Sequence, residues 1–410
     1  MANLKQNIAL GLMALLTAAV LMAGPVLRFK DPADSGRADF MGFYLAGTIV
    51  NQGNHSQLYD EAFQLSLRER LFGPRVGVDV YLHPPFEALF FSPLARLPYP
   101  AAYFLWDLMN LMMFAACLHL LKRSALHFDA DSRLLFTLAL AVPLISTLGE
   151  GQDSILLLLL FVSAFINLKK GRDFWAGSAL GASFFRFQLA IPFLLVFLAL
   201  RRWKVVLGAL VVSLFLGVVS LFLVGWRGME RYGQLLIARM GGTYSPAAQM
   251  PTVRGFIDTV VAGRVTEGLS TILVIVSSLA LLDWLLGKWG GRPWNPAART
   301  FDLLFSLSLV VAFLLSFHSL VHTLVVLALP MLLLLDHWAA SPTGGFGRWL
   351  TVAPLILLFV TAVLISLLTV NSFTYLFPSV LWFAYAISRE ISRKDRALVA
   401  PASSPVSVEV

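Results

Sequence analysis

Runs of about twenty apolar residues, the length that crosses roughly 30 Å of hydrocarbon, recur from Ile8 to Tyr385 with no soluble domain between them. In lipid every backbone N–H and C=O must be satisfied within its own segment, so a chain built this way folds as a bundle of spanning helices. Composition agrees: 13% of the 410 residues are charged, 58% are hydrophobic and the mean hydropathy is +0.78, against roughly a quarter charged in a soluble domain. A soluble enzyme is excluded. The single cysteine, Cys117, lies inside an apolar run and leaves no disulfide framework or Cys-based metal site.

The net charge of +8 raises the question of nucleic acid, and the placement of the basic residues answers it. They lie between spans, with no basic stripe interleaved with aromatics and no Cys/His finger spacing, so no nucleic-acid partner is expected. Short loops rich in Lys and Arg, at 122–123, 169–172, 201–204, 288–299 and 389–396, orient to the cytoplasm by the positive-inside rule. The N-terminal run after Lys5 is long enough to span and carries no clear cleavage motif, which reads as an uncleaved anchor.

The spacing predicts spans at roughly 8–27, 99–121, 131–148, 153–168, 205–225, 268–287, 300–317, 319–335, 349–369 and 374–388. Between two basic loops lies 174–200, whose apolar halves flank Arg186; twelve residues make about 18 Å of helix, too short to cross, so a hairpin of two short helices is expected there. The fold class is therefore an all-α polytopic membrane protein, with about ten full transmembrane helices plus that hairpin, about twelve in all. One membrane domain covers 1–388, with extracytoplasmic loops at about 28–98 and 226–267, the first containing interfacial helices. A basic segment and disordered tail follow at 389–410, its Ala-, Ser- and Pro-rich part starting at Ala397. No 20–50-residue repeat is visible.

Polar residues at membrane depth or on the outer side are the functional candidates. Asp39 opens an interfacial helix soon after the first span; it reads either as a helix N-cap or as a general base facing a lipid-linked substrate. Arg186, with Gln188, lies mid-hairpin, where a guanidinium fork suits a phosphate; the other reading is an ion pair with Asp107 or Asp153. His318 and His322 have the i, i+4 spacing that puts two imidazoles on one helix face. The zinc-protease Glu and a local third ligand are missing, which leaves phosphate binding or polar packing ahead of metal. Tyr81 to Pro85 with His83, Gly149 to Asp153 with Gln152, and Pro251 to Gly255 with Arg254 are weak signals singly but share the outer face.

In the order of these motifs the chain resembles the family-87 glycosyltransferases, a polytopic group of the GT-C type. The resemblance rests on Asp39 to Tyr44, Tyr81 to Pro85, Pro93 to Trp106, Gly151-Gln152, the hairpin 176–192, Arg254-Gly255 and Ser316 to His322, and covers about 35–340. Within the family it resembles the mycobacterial phosphatidylinositol-mannoside mannosyltransferases. Members move a sugar, typically mannose, from a polyprenyl-phosphate donor to a lipid or glycan acceptor outside the cytoplasm. The resemblance implies that Asp39 activates the acceptor and that the His318/His322 turn borders the donor phosphate.

The chain departs from the family in carrying Arg186 where Lys is frequent and Phe317 where Pro is. The expected chemistry is an inverting, metal-independent transfer without a cofactor at the plasma (inner) membrane. Asp39 serves as base, His322 is an alternative base, and Arg186, Arg254 and His318 hold the donor phosphate. Tyr44, Tyr81, His83, Gln152 and Gln188 are the expected substrate contacts. The rival readings are a transporter or flippase of a lipid-linked or anionic solute, which would show inverted repeats and a midplane site, and a surface-glycan polymerase or ligase.

Overall fold

The computed structural model describes residues 39–73, 80–123, 130–240, 247–261, 263–339, 353–358, 360–361 and 372–399. The expected 8–27 span, most of the 349–369 span and residues 400–410 lie outside them. Every described element is helical, with no strand among the described residues.

The first three helices are short and gather over one end of the bundle: α1 (Phe40–Asn51), α2 (Glu61–Phe72) and α3 (Pro85–Phe91). Their boundaries follow local chemistry. Asp60 caps α2 by accepting from the Phe63 N–H at 3.0 Å, Gly73 ends it at φ 89°, and α3 starts on a proline, whose missing N–H has no partner to lose in a first turn. Their core is aromatic: Phe43 stacks on Phe91 at 4.5 Å between ring centroids, Phe91 meets Trp106 edge-on at 4.8 Å, and Phe40 meets Tyr103 at 5.4 Å. At Gly47 a Cβ would lie 2.8 Å from the Phe91 carbonyl oxygen, so α1 and α3 approach as closely as glycine allows.

Below this cap run α4 (Tyr99–Arg123), α5 (Ala130–Glu150) and α6 (Ser154–Lys169). Next comes the Arg186 segment: α7 (Asp173–Ala182), a 3₁₀ turn at Ser183–Arg186 and α8 (Phe187–Ala199). By length and apolarity Asp173–Ala199 is one stretch of 27 residues, but its two ends meet, with Arg202 Nη2 2.6 Å from Asp173 Oδ2. A straight helix of that length would separate them by about 40 Å, so the chain doubles back with Arg186 at its tip.

It then enters α9 (Trp203–Met240), which runs alongside α7 in the same direction. Side chains at Gly177, Gly181 or Gly208 would run into facing backbone carbonyls, the small-residue packing that lets helices associate in lipid. At Gly225, with φ 68° and ψ 176°, α9 breaks, so Trp203–Val224 and Trp226–Met240 are separate helical pieces.

The remaining helices are α10 (Val253–Val261), α11 (Glu267–Trp289), α12 (Arg299–Leu315), a 3₁₀ segment Val321–Leu327 leading into α13 (Ala328–Ala339), and α14 (Phe377–Val399). α12 is buried from Leu303 to Leu314 and forms the centre of the main core, whereas α11 leaves Ile272, Val276 and Leu279 more than half exposed, as a lipid-facing helix does. Among the described residues, five stretches are long and apolar enough to cross a membrane: Tyr99–Lys122, Asp173–Ala199, Trp203–Ala238, Glu267–Trp289 and Val321–Ala339. α14 continues through the basic segment that starts at 389 as far as Val399. Its polar end is Arg-, Lys- and Glu-rich, and Glu390 and Arg393 face each other one turn apart at 3.7 Å.

Candidate active site

Gly151 is the pivot of the candidate site. Its φ of 63° reverses the chain between α5 and α6, and a Cβ there would lie 2.6 Å from Phe40 Cβ. Three side chains of α4 pin the turn: Trp106 Nε1 donates to the Gly151 carbonyl at 2.9 Å, Asn110 Nδ2 to that of Gln152 at 3.2 Å, and the Tyr103 hydroxyl sits 2.8 Å from the Leu148 and Gly149 carbonyls. The Gly149-x-Gly151 motif is thus a turn in its own right, and its product is a fixed presentation of Gln152 and Asp153 beneath α1 and α3.

Asp39 stands at the N-cap position of α1 and its side chain makes no capping bond. The carboxylate turns to the α5–α6 turn, where Gln152 Nε2 donates to Asp39 Oδ2 at 2.5 Å. The amide oxygen of Gln152 in turn accepts from Arg186 Nη2. Arg186 also engages the wholly buried Asp153, with Nη2 to Oδ1 at 2.6 Å and Nε to Oδ1 and Oδ2 at 2.9 and 3.2 Å. Of the two readings of Arg186, the ion pair with Asp153 is present. The partner comes from the turn before α6, not from the hairpin.

Next to this pair, His83 Nδ1 lies 2.7 Å from Glu87 Oε2 and 3.9 Å from Asp153 Oδ2. Burial pushes the Glu87 carboxyl up to about 8, against the opposing hydrogen bond with Asp153 and the charge of Arg186. Burial also holds His83 down at about 4, with Arg186 adding to the effect. At neutral pH the cluster therefore contains a neutral imidazole facing a carboxyl that retains its proton. His83, Glu87 and Asp153 bring three potential ligand atoms within 4.8 Å of one another, the set among the described residues best able to hold a metal ion. Arg186 already places a cation on both oxygens of Asp153, which competes with a metal for that charge.

The two histidines expected on one helix face are not so arranged. The backbone from Ser316 to Leu320 is non-helical, because α12 ends at Leu315 and Ser319 Oγ bonds Ser316 Oγ across the turn at 2.8 Å. His322 is 3% exposed, with Nδ1 2.9 Å from Ser154 Oγ and its carbonyl accepting from Thr147 Oγ1 at 3.0 Å. This is the polar-packing alternative, and it ties the 3₁₀ segment to α5 and α6.

His318 is half-buried at the turn, and burial, then Arg186 and Arg254, hold its imidazole down at about 4. Arg254 donates from Nη1 to the Phe317 carbonyl at 3.2 Å and pairs with Asp258 at 3.3 Å; Gln188 Nε2 donates to the His318 carbonyl at 3.3 Å. Arg186, Arg254 and His318 thus draw together around the hairpin tip and the 316–320 turn.

Of the expected substrate contacts, two tyrosines have structural partners. Tyr44 donates to the Leu97 carbonyl at 2.9 Å, and the buried Tyr81 donates to the Pro84 carbonyl at 3.0 Å. Glu87 was missed by sequence reasoning, and Asp153 was seen only as a partner for Arg186. The signal for Glu87 was its position in the first turn of a helix opened by Pro84-Pro85, four residues from His83.

No curated protein and no solved structure matches the chain. A family model described as glycosyltransferase family 87 matches residues 81–317, more than half of the sequence. The match takes in Tyr81, His83, Gln152, Arg186, Gln188 and Arg254; Asp39, Tyr44, His318 and His322 fall outside it. With several apolar helices long enough to cross a bilayer around a buried cluster of acids, imidazoles and a guanidinium, this chain belongs to glycosyltransferase family 87 and is a membrane glycosyltransferase.

Proposed function

We propose that the protein transfers a sugar, mannose first among candidates, from a polyprenyl-phosphate donor to a hydroxyl of a lipid or glycan acceptor on the extracytoplasmic side. The observation that carries this reading is the Asp39 side chain: it forgoes its helix cap and turns into the Gln152–Arg186–Asp153 network. A carboxylate at the exposed rim of a cap, beside a buried guanidinium, suits a general base.

In the proposed step Asp39 takes the proton of the acceptor hydroxyl while its oxygen attacks the anomeric carbon with inversion. The bond from that carbon to the phosphate oxygen breaks, and the electron pair leaves with polyprenyl phosphate. Charge growing on the phosphate meets the positive field of Arg186 and Arg254 and a hydrogen bond from neutral His318, the kind of stabilisation that usually dominates such catalysis. The orientation rests on the basic loops: the site lies at the end of α6 away from Lys169 and the Lys/Arg-rich turn that follows. The buried, bonded His322 is better suited to holding the 3₁₀ segment than to sharing base work.

The test is sugar transfer by purified protein in nanodiscs, with polyprenyl-phosphate mannose and a lipid acceptor extract, in the presence and absence of chelator. Asp39→Asn should lower kcat by about 10²–10⁴ with unchanged folding, the span typical of a general base, and chelator should have no effect. Full activity in the variant would remove Asp39 from the mechanism, and activity restored by divalent metal would reassign the chemistry to the His83–Glu87–Asp153 cluster. Translocation of a lipid-linked substrate without transfer would favour the transporter.

A further inference from the structure

Gln152 joins the buried charge pair to the exposed carboxylate. Its main chain is immobilised: the N–H donates to the Thr147 carbonyl at 2.9 Å, the carbonyl accepts from Asn110, and Gly151 before it sits at positive φ. Its side chain is 5% exposed and both ends of the amide are engaged. A guanidinium only donates, so Arg186 must face the amide oxygen, and the NH₂ end is left facing Asp39. Flipping the amide would set donor against donor at Arg186. The Asp39 oxygen that meets the NH₂ group therefore has to accept, which favours the ionised carboxylate.

We infer that Gln152 is the positioning residue of the transfer reaction: its amide, oriented by Arg186, holds the Asp39 carboxylate in place and keeps it ionised to take the acceptor proton. The role differs from the substrate contact that the sequence suggests, since both ends of the amide already bond to protein charges. The inference rests on the reading of Asp39 as the base. It adds that basicity at the rim is set from inside the bundle, through one neutral side chain with Arg186 on one side and Asp39 on the other.

The experiment uses the full chain in nanodiscs and the same transfer assay, read as kcat and KM across pH. Gln152→Leu should lower kcat about tenfold to a hundredfold, the effect of losing a hydrogen bond to a charged group, with KM little changed. The acid limb of the kcat profile should move up by about one unit, because a carboxylate stripped of a donor protonates more readily. Gln152→Glu still accepts from Arg186 but presents a second carboxylate to Asp39, and should move the limb further in the same direction.

A readout independent of turnover is the carboxyl stretch of ¹³C-labelled aspartate, assigned to Asp39 by its loss in Asp39→Asn, which should titrate higher in both Gln152 variants. A raised KM at unchanged kcat would return Gln152 to substrate binding. A uniform loss of rate at every pH, with the Asp39 band titrating as in wild type, would make its role purely structural. Either result overturns the inference while Asp39→Asn remains inactive; an active Asp39→Asn would instead bring down the base reading beneath it.

Discussion

The two ends of α6 each carry an ion pair with a closest approach of 2.6 Å, and almost nothing else about them is alike. At the C-terminal end Lys169 meets Asp302, with side chains 23% and 15% exposed. At the N-terminal end, about 24 Å away along a sixteen-residue helix, Arg186 meets Asp153 with side chains 7% and 0% exposed, and Glu87, His83, Gln152 and Asp39 crowd round them. The far pair is partly exposed and costs less to lose. The near pair is sunk in protein, and its desolvation is compensated only while every partner is present. Distance alone therefore does not mark a functional pair; burial and surplus partners do.

The largest predicted contrast breaks the two pairs one at a time. Arg186→Leu strands a buried carboxylate and should destabilise the protein by about 3–5 kcal/mol, read as the unfolding midpoint in denaturing detergent, and should abolish transfer. Lys169→Met should cost about 1 kcal/mol or less, as part-exposed pairs do, and leave transfer intact. The paired change Asp153→Leu with Arg186→Leu sharpens the comparison. It should recover much of the stability lost by Arg186→Leu, since no uncompensated charge remains, and recover none of the activity. Equal costs at both ends would show that burial does not separate the pairs.

Much of this was legible in the sequence, for reasons that particular residues make plain. The basic loops and the length of each half fixed the turned-back segment around Arg186, because twelve apolar residues are too few to cross. Asp39 stood out as the acid that opens an interfacial helix soon after the first span. Burial of individual helices was not legible: α11 and α12 are similarly apolar, yet one faces lipid and the other fills the core, since lipid and protein interior select the same residues. Nor could spacing show that Asp39 would abandon its cap for a residue 113 positions away, or that Asp153 rather than phosphate would face Arg186. Such contacts depend on Gly151 and on α4, whose side chains act at a distance in sequence. The i, i+4 histidines misled because that rule presupposes a helix, and α12 had already ended.

The smallest effect probes the surplus acid that sets the two ends apart. Burial raises the Glu87 carboxyl from 4.5 to about 8, so the folded protein holds a proton there that the unfolded chain gives up. The corresponding stability is fully present below about pH 4.5 and is lost as pH rises through 8. Other groups titrate in the same range, the unfolded His83 imidazole around 6.5 among them, so the Glu87 contribution is read as the difference between wild type and a variant that lacks its titration. Between about pH 6.5 and 8 the wild type should lose about 1 kcal/mol per pH unit relative to Glu87→Gln, since each unit of pKa displacement is worth about 1.36 kcal/mol. Glu87→Gln keeps the shape of the protonated acid without its titration, so the stability difference between wild type and Glu87→Gln should fall steadily as pH rises over that range. Parallel slopes in wild type and Glu87→Gln would mean that Glu87 is already ionised at neutral pH, and that the surplus charge at this end of α6 is carried openly rather than suppressed by a proton.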